Sequence, residues 1–267
     1  MFETITFLSD FGLEDDFVGV CRGVMRAIAR DAEIIDLTHG IRPQAVAQGA
    51  LILARAVPYL PPGIHLAVVD PGVGSERRAV ALRTGGGRVF VGPDNGLLTR
   101  AADQLGIEAA RGLTNPRYHL ERVSKTFHAR DVFAPAAAHL ATGARFDDLG
   151  EEIDPVSLVR LGLDRAAVDG ASLTATIVDV DRFGNLQLNV SDAEIAAIGL
   201  SRGSGVELRF ELSTYFAQVG ETYADAPVGE LILYEDSFGS YEIAINGGRA
   251  AMLTEAAPGD TVRIEAR

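Results

Sequence analysis

Six polar residues fall where apolar segments of the chain stop: Asp10, Asp15, Asp70, Asp94, Asn95 and His128. Asp70 is the most pointed of them. It closes the apolar run Ile64 to Val69, and Pro71-Gly72-Val73-Gly74 follows at once. Proline ends strand pairing, and the glycines let the backbone turn sharply and approach a ligand closely. An acid in that position is where open α/β sheets bind ligands. Gly72-Val73-Gly74 is not a dinucleotide fingerprint, because the third glycine is missing and Ala79 to Arg83 reads as strand instead of helix. No Walker lysine follows either, so the loop is not an ordinary phosphate cradle. Asp10, Asp15, Asp70 and His128 could in principle ligate two divalent ions and activate a water. Taken singly, each Asp is more often a helix cap or a turn former; taken together, they favour a site.

The elements that must position these residues can be read from the pattern. Ile5 to Leu8 is a strand ending at Ser9-Asp10-Phe11-Gly12, and Asp15 and Asp16 open a helix to about Arg30. Glu33 to Leu37 is a second strand and Pro43 to Leu60 a second helix. After the Asp70 loop, Ala79 to Thr84 and Arg88 to Val91 flank Gly85-Gly86-Gly87 as a hairpin. Gly92-Pro93-Asp94-Asn95-Gly96 is a further polar strand end, before a helix from Leu97 to Leu105. Phe127-His128-Ala129-Arg130-Asp131 precedes an apolar helix, Val132 to Leu140. The alternation predicts an α/β domain with a mostly parallel sheet over residues 1–160. In such a sheet the strand ends share one edge, so the polar residues could gather in one cleft.

From about Ala171 the segments become short and strand-like, with one helix at Asp192 to Ile198. This predicts a small all-β, barrel-like domain over residues 170–267, with a linker at about 155–170. Three polar turns interrupt it: Asp181-Arg182-Phe183-Gly184-Asn185, Ser237-Phe238-Gly239-Ser240 and Asn246-Gly247-Gly248. Each reads as a hairpin tip at least as readily as a binding loop.

Composition narrows the classes. The net charge of −13 argues against a nucleic-acid partner, which would call for a basic face. No uninterrupted apolar stretch reaches the length of a membrane span. The first strand begins so near Met1 that no signal peptide fits before it, which predicts a cytoplasmic protein. The single cysteine, Cys21, excludes intrachain disulfides and thiolate zinc sites. Lys125 is the only lysine and lies in a polar segment, so a Schiff-base mechanism has little support. Three classes remain open on these grounds: an enzyme acting on a nucleotide-like ligand, a metal-dependent phosphoesterase, and a ligand-binding sensor without chemistry. The lack of a His-x-x-x-His or Asp-x-His pair weakens the metal case.

At these residues the chain resembles the S-adenosyl-L-methionine hydrolases (adenosine-forming), relatives of the fluorinases and chlorinases. The likeness rests on Ser9-Asp10-Phe11-Gly12 with Asp15-Asp16, on Asp70-Pro71-Gly72-Val73-Gly74 with Arg77, and on Gly92-Pro93-Asp94-Asn95-Gly96. Phe127-His128-Ala129-Arg130-Asp131 and Asp181-Arg182-Phe183-Gly184-Asn185 complete it. The resemblance implies an α/β domain, a β-barrel, and a homotrimer with sites between neighbouring subunits. It implies cleavage of S-adenosylmethionine to adenosine and methionine, without metal or cofactor and without nucleic-acid or membrane partners. Asp70, Arg77 and His128 match the set that holds the attacking water, which favours water over halide; a halogenase is the nearest alternative. Whether Asp70 or His128 takes the proton is left open.

The resemblance also assigns binding roles. Asp10 would take the ribose diol, Asp181 the methionine ammonium and Ser237 its carboxylate. Asn185 would meet the adenine edge near Gly247, with Phe183 and Tyr223 as stacking surface. Asp15 and Asn95, from the same motifs, and Asn246 join the binding set. Phe238 stands where the halogenases carry an arginine.

Overall fold

The strands Thr4–Ser9 and Ile64–Val68 are buried at every position and so need cover on both faces, which the first part of the chain supplies. In a computed structural model, which describes residues 2–162 and 165–267, the chain divides into two units, Met1–Leu161 and Gly162–Arg267. The first unit is built on a seven-stranded sheet. Its strands are β1 (Thr4–Ser9), β2 (Glu33–Thr38), β3 (Ile64–Val68), β4 (Ala79–Thr84), β5 (Arg88–Pro93), β6 (Ile107–Gly112) and β7 (Glu152–Ile153). They lie in the order β2-β1-β3-β5-β4-β6-β7. The pairs β1–β2, β1–β3 and β3–β5 are parallel, while β4 runs against both of its neighbours and β7 against β6. Five strands therefore point one way, and the sheet is mostly parallel.

Alternate residues of these strands enter two separate cores. Ile5, Phe7, Leu66, Val68 and Val91 pack with α1 (Phe17–Ile28) and α4 (Ala134–Ala141). Leu8, Ala67, Val69 and Phe90 pack with α2 (Val46–Ala56) and α3 (Thr99–Leu105) on the other face. Cys21 is free and buried in the first core, where burial pushes its thiol up to about 12, the packing role its apolar neighbours predict. At the sheet centre neighbouring strands approach so closely that a Cβ on Gly92 of β5 would meet the Ala67 carbonyl of β3.

Several helix boundaries differ from expectation. The second helix begins at Val46 because Gln44 turns into the left-handed region (φ 66°), and the helix ends at Ala56, before a 3-10 turn at Val57–Tyr59. The helix after His128 opens with a wide π turn, Ala129–Phe133, ahead of Pro135, which has no N–H to donate to a regular ladder. Strands β6 and β7 carry too little apolar pattern to be read from sequence.

The second unit is a closed seven-stranded barrel. Its strands are β8 (Ala167–Asp169), β9 (Ser172–Val180), β10 (Leu186–Leu188), β11 (Gly205–Arg209), β12 (Thr214–Gly220), β13 (Leu231–Glu235), β14 (Tyr241–Ile245) and β15 (Thr261–Ala266). The order β10-β14-β13-β12-β11-β15-β9 closes through a β9–β10 pairing, with β8 appended outside on β9. Closure removes the unpaired edges of so short a sheet. The helix α5 (Asp192–Ala197) carries the Ser191/Glu194 capping box, and α6 is Ala250–Thr254. Strand β12 was not legible from sequence; it pairs in parallel with β13, so no hairpin signal announces it. Among the described residues no helix is long and apolar enough to cross a membrane.

Candidate functional site

The strand order places a binding crevice before any side chain is considered. From β1 the chain moves to β2 on one side, then returns past β1 to β3 on the other. The gap beyond the ends of β1 and β3 is therefore a topological switch point, where open α/β sheets bind ligands. Ser9 and Val68 are directly paired at that edge, so Asp10 and Asp70 leave the sheet side by side. A cavity of about 360 Å³ opens there, lined by Asp10, Asp70, His128, Phe11, Phe17 and Phe127 among others. The three rings pack with centroids 5.1 to 5.9 Å apart, Phe127 edge to face with both Phe11 and Phe17.

Asp10 is held by a residue that its own motif does not contain. The Gln44 backbone N–H donates to Asp10 Oδ2 at 2.8 Å, from the same left-handed turn that delays α2. Behind Asp10, Ser9 Oγ lies 2.7 Å from His39 Nδ1 and accepts from the Phe11 N–H, while the Gly12 N–H donates to the His39 carbonyl. Asp36 Oδ1 is 3.3 Å from His39 Nε2, so serine, histidine and aspartate stand in line. Ser9 is fully buried, however, and no substrate can reach it. The three secure the loop that presents Asp10.

Asp70, Arg77 and His128 come together around one guanidinium. Arg77 Nε donates to Asp70 Oδ1 at 2.8 Å, a second nitrogen of the fork donates to Asp70 Oδ2, and the same nitrogen donates to His128 Nδ1 at 3.1 Å. The guanidinium also lies 5.1 Å over the Phe133 ring. The loop reaches His128 because Gly74, at φ 79°, passes so near residue 125 that a Cβ would lie 2.6 Å from the Lys125 carbonyl oxygen. Arginine only donates, so Nδ1 of His128 is the unprotonated nitrogen. Burial pushes the His128 pKa down and the Arg77 charge adds to it, outweighing Asp70, Asp131 and the Ser124 backbone. His128 is thus neutral at pH 7. Protonating it would turn an N–H against the Arg77 N–H, so acid should abolish activity only below the ordinary imidazole value of 6.5. A pH profile of kcat/KM whose acid limb is centred at or above that value would overturn this assignment.

The segment bearing His128 has its own anchor. Asp131 is fully buried, and its carboxylate accepts from Arg130 at 2.6 and 2.9 Å and from the Ser124 N–H at 2.8 Å. Burial pushes this carboxyl up, but the bonds from Arg130 and Ser124 prevail and hold it below the usual range.

Not every expected residue reaches the cleft. Asp94 is buried, bonded by Arg78 and by the Val159 N–H, and Arg78 continues to Ser157. Asn95 donates to the Val69 carbonyl at 2.8 Å and accepts from the Leu97 N–H. Both close the turn after β5 and do not line the cavity. Asp15 is exposed ahead of α1 and does not line it either.

In the barrel unit Asp181 organises its own turn. Its Oδ1 accepts from the N–H groups of Phe183 and Asn185, and its Oδ2 from Asn185 Nδ2 at 3.0 Å. Asn185 Nδ2 also reaches Tyr223 Oη at 3.1 Å. Phe183 is 74% exposed, and Tyr223 and Phe238 are exposed as well. Ser237 is exposed on a turn that Asp236 holds through the Phe238 and Ser240 N–H groups. Asn246 donates to the Ala226 carbonyl at 2.7 Å, and Gly247 takes φ 78° beside it. Sequence reasoning missed Gln44, Ser9 with His39, and the buried pair Tyr234 and Glu242 below Tyr223. None carries a motif; a buried glutamate in an otherwise apolar strand was the one available signal. Among the described residues no group of three or more His, Cys, Asp or Glu is placed to hold a metal ion.

Residues 5–150 match the family profile of the SAM hydroxide adenosyltransferase N-terminal domain, and residues 175–263 that of the C-terminal domain. The chain is 46% identical to an (R)-S-adenosyl-L-methionine hydrolase of Salinispora arenicola over 98% of its own length and 97% of the relative's. It is 29% identical to a fluorinase of an Actinoplanes species, covering 97% and 96%. A solved structure of an uncharacterised conserved protein from Thermotoga maritima is similar with a TM-score of 0.91 at 35% identity, covering 97% of this chain and 99% of that one.

Proposed function

The chain belongs to the SAM hydroxide adenosyltransferase family, and from that premise we propose that it hydrolyses S-adenosyl-L-methionine to adenosine and L-methionine. The observation that carries the reading is the Asp70–Arg77–His128 cluster at the edge of the Asp10 cleft. The names of its relatives specify the R sulfonium, and we take that epimer as the substrate.

The chemistry asks little of the protein beyond placement. The oxygen of water forms a bond to ribose C5′, the C5′–S bond breaks, and its electron pair goes to sulfur. The leaving thioether is neutral, so no general acid is required. One proton is lost from the attacking water. Holding that water in line can supply on the order of 7–11 kcal/mol. The unprotonated nitrogen of His128 is already engaged by Arg77, whereas each Asp70 oxygen retains a lone pair. We therefore assign the proton to Asp70. Arg77 fixes both oxygens of that carboxylate in place, so orientation of the water precedes proton transfer.

Asp10, with Oδ2 fixed by Gln44, suits the ribose diol; Asp181 and Ser237 suit the amino-acid end, and Asn185 with Phe183 and Tyr223 suits adenine. We place the complete site at the boundary between subunits of a cytoplasmic homotrimer. Light scattering should then give three times the 28.3 kDa chain mass.

Chromatography of the protein incubated with each sulfonium epimer, with and without chloride and chelator, tests the activity. Adenosine and methionine, indifferent to chelator, are expected. A 5′-chloro nucleoside would make the protein a halogenase, chelator sensitivity would return a metal hydrolase, and the absence of product would leave a binding protein.

A further inference from the structure

The barrel buries a directed chain of hydrogen bonds that ends at Asn185. Its inner end is Glu242, 4% exposed on β14. Both carboxylate oxygens accept: Oε1 from Gln187 Nε2 at 2.8 Å, and Oε2 from Tyr234 Oη at 2.7 Å. Tyr234 spends its only hydroxyl proton there, so it must accept at its other contact, Tyr223 Oη at 2.8 Å. Tyr223 in turn has no proton left and can only accept from Asn185 Nδ2. The second Nδ2 hydrogen is drawn to Asp181 Oδ2, an acceptor only. Carboxylates at the two ends thus dictate every donor and acceptor between them, and both amide hydrogens are consumed. Asn185 Oδ1 is left over: among the described residues nothing donates to it. An asparagine without this support could turn either face to a ligand; here the oxygen alone is offered.

We infer that Glu242, Tyr234 and Tyr223 are positioning residues that lock the Asn185 amide with its oxygen toward the ligand, and so select a 6-aminopurine over a 6-oxopurine. The inference deepens the proposed function and rests on its placing of Asn185 at the base. An exocyclic amine donates to Oδ1, whereas a 6-oxo group would set oxygen against oxygen and leave both unpaired. Sites that address a substrate by a fixed hydrogen bond discriminate more sharply than apolar pockets do.

The test measures turnover of S-adenosylmethionine and of its 6-oxo (inosyl) analogue, with binding of adenosine and inosine by calorimetry, for the full chain and for Tyr234→Phe. In the variant Tyr223 can donate outward, and the amide loses one of its two fixed acceptors. We expect KM for S-adenosylmethionine to rise and the adenosine-over-inosine preference to narrow, each by about ten-fold, with kcat little changed. A general loosening of the barrel would weaken both purines in proportion; an unchanged preference therefore overturns the inference. Tyr223→Phe, at the exposed end, makes the same test without opening the core, and should narrow the preference likewise. Adenosine preference without any cleavage would overturn the activity alone. Cleavage with a preference that neither variant alters would overturn this inference alone.

Discussion

Replacing Arg77 by alanine will lower kcat/KM for S-adenosylmethionine by about 10²–10⁴-fold, the range for removing a positioned polar group from a reacting centre. The size follows from one guanidinium serving two partners. It binds both oxygens of Asp70 and the Nδ1 of His128, with the Arg77 side chain only 11% exposed and that of Asp70 7%. Without it Asp70 loses its orientation, and His128 is free to rotate or protonate. The water we assign to them would then have no fixed line to C5′. Lysine should not rescue the variant, because an ammonium cannot reproduce the planar fork that spans carboxylate and imidazole. The variant also leaves the nearly buried Asp70 carboxylate without its partner, so the melting transition should fall, and the kinetics are compared well below it. Steady-state kinetics beside a thermal melt decides the matter. An Arg77→Ala variant retaining more than about a tenth of wild-type kcat/KM would remove the cluster from the chemistry, since that loss is within what a single hydrogen bond costs.

Replacing Asp131 by alanine will cost stability instead, about 2–3 kcal/mol, through the loss of a fully buried carboxylate and three donors left behind. Arg130 is 35% exposed and can turn to solvent, which keeps the cost below that of a wholly buried pair. The Ser124 N–H has no such escape. Because the Asp131 carboxyl is held below the ordinary 3.8, its contribution is complete above that value and is lost as pH falls through the lower native one. Urea denaturation at neutral pH should show the loss, and the variant should lack that share of the wild type's acid sensitivity. Equal midpoints at neutral pH would show that Asp131 anchors nothing. The Asp131 carboxylate also ties Ser124 to the turn behind His128, so residual activity should fall with it.

The residues of the cleft differ in how visible they were beforehand. Asp70 stood out because proline and glycine end a buried strand around it, and those signals are local. Arg77 was assigned through the family resemblance, whereas His128 already stood among the polar residues where apolar segments stop. That all three meet at one guanidinium depends on the approach of residue 74 to residue 125, for which sequence has no mark beyond a glycine. Asp94 and Asn95 show the converse. They have the right types at a strand end, but their side chains are spent on Arg78, Val159, Val69 and Leu97.

Periodicity and punctuation are properties of neighbouring residues, so the sequence alone determined where the apolar strands run, that one part alternates strand and helix, and that the next is all β. It determined the chemical types available at the strand ends. The tertiary structure decided which of those ends share a crevice, because strand order, not strand content, creates the gap between β1 and β3. It also decided what each polar atom is free to do. Asp10 and Asp94 are the same residue type at similar positions. Gln44 takes up only one oxygen of the first, while Arg78 and Val159 take up both oxygens of the second. A hydrogen bond joins residues distant in the chain once folding brings them together, and no local pattern encodes which partner arrives first.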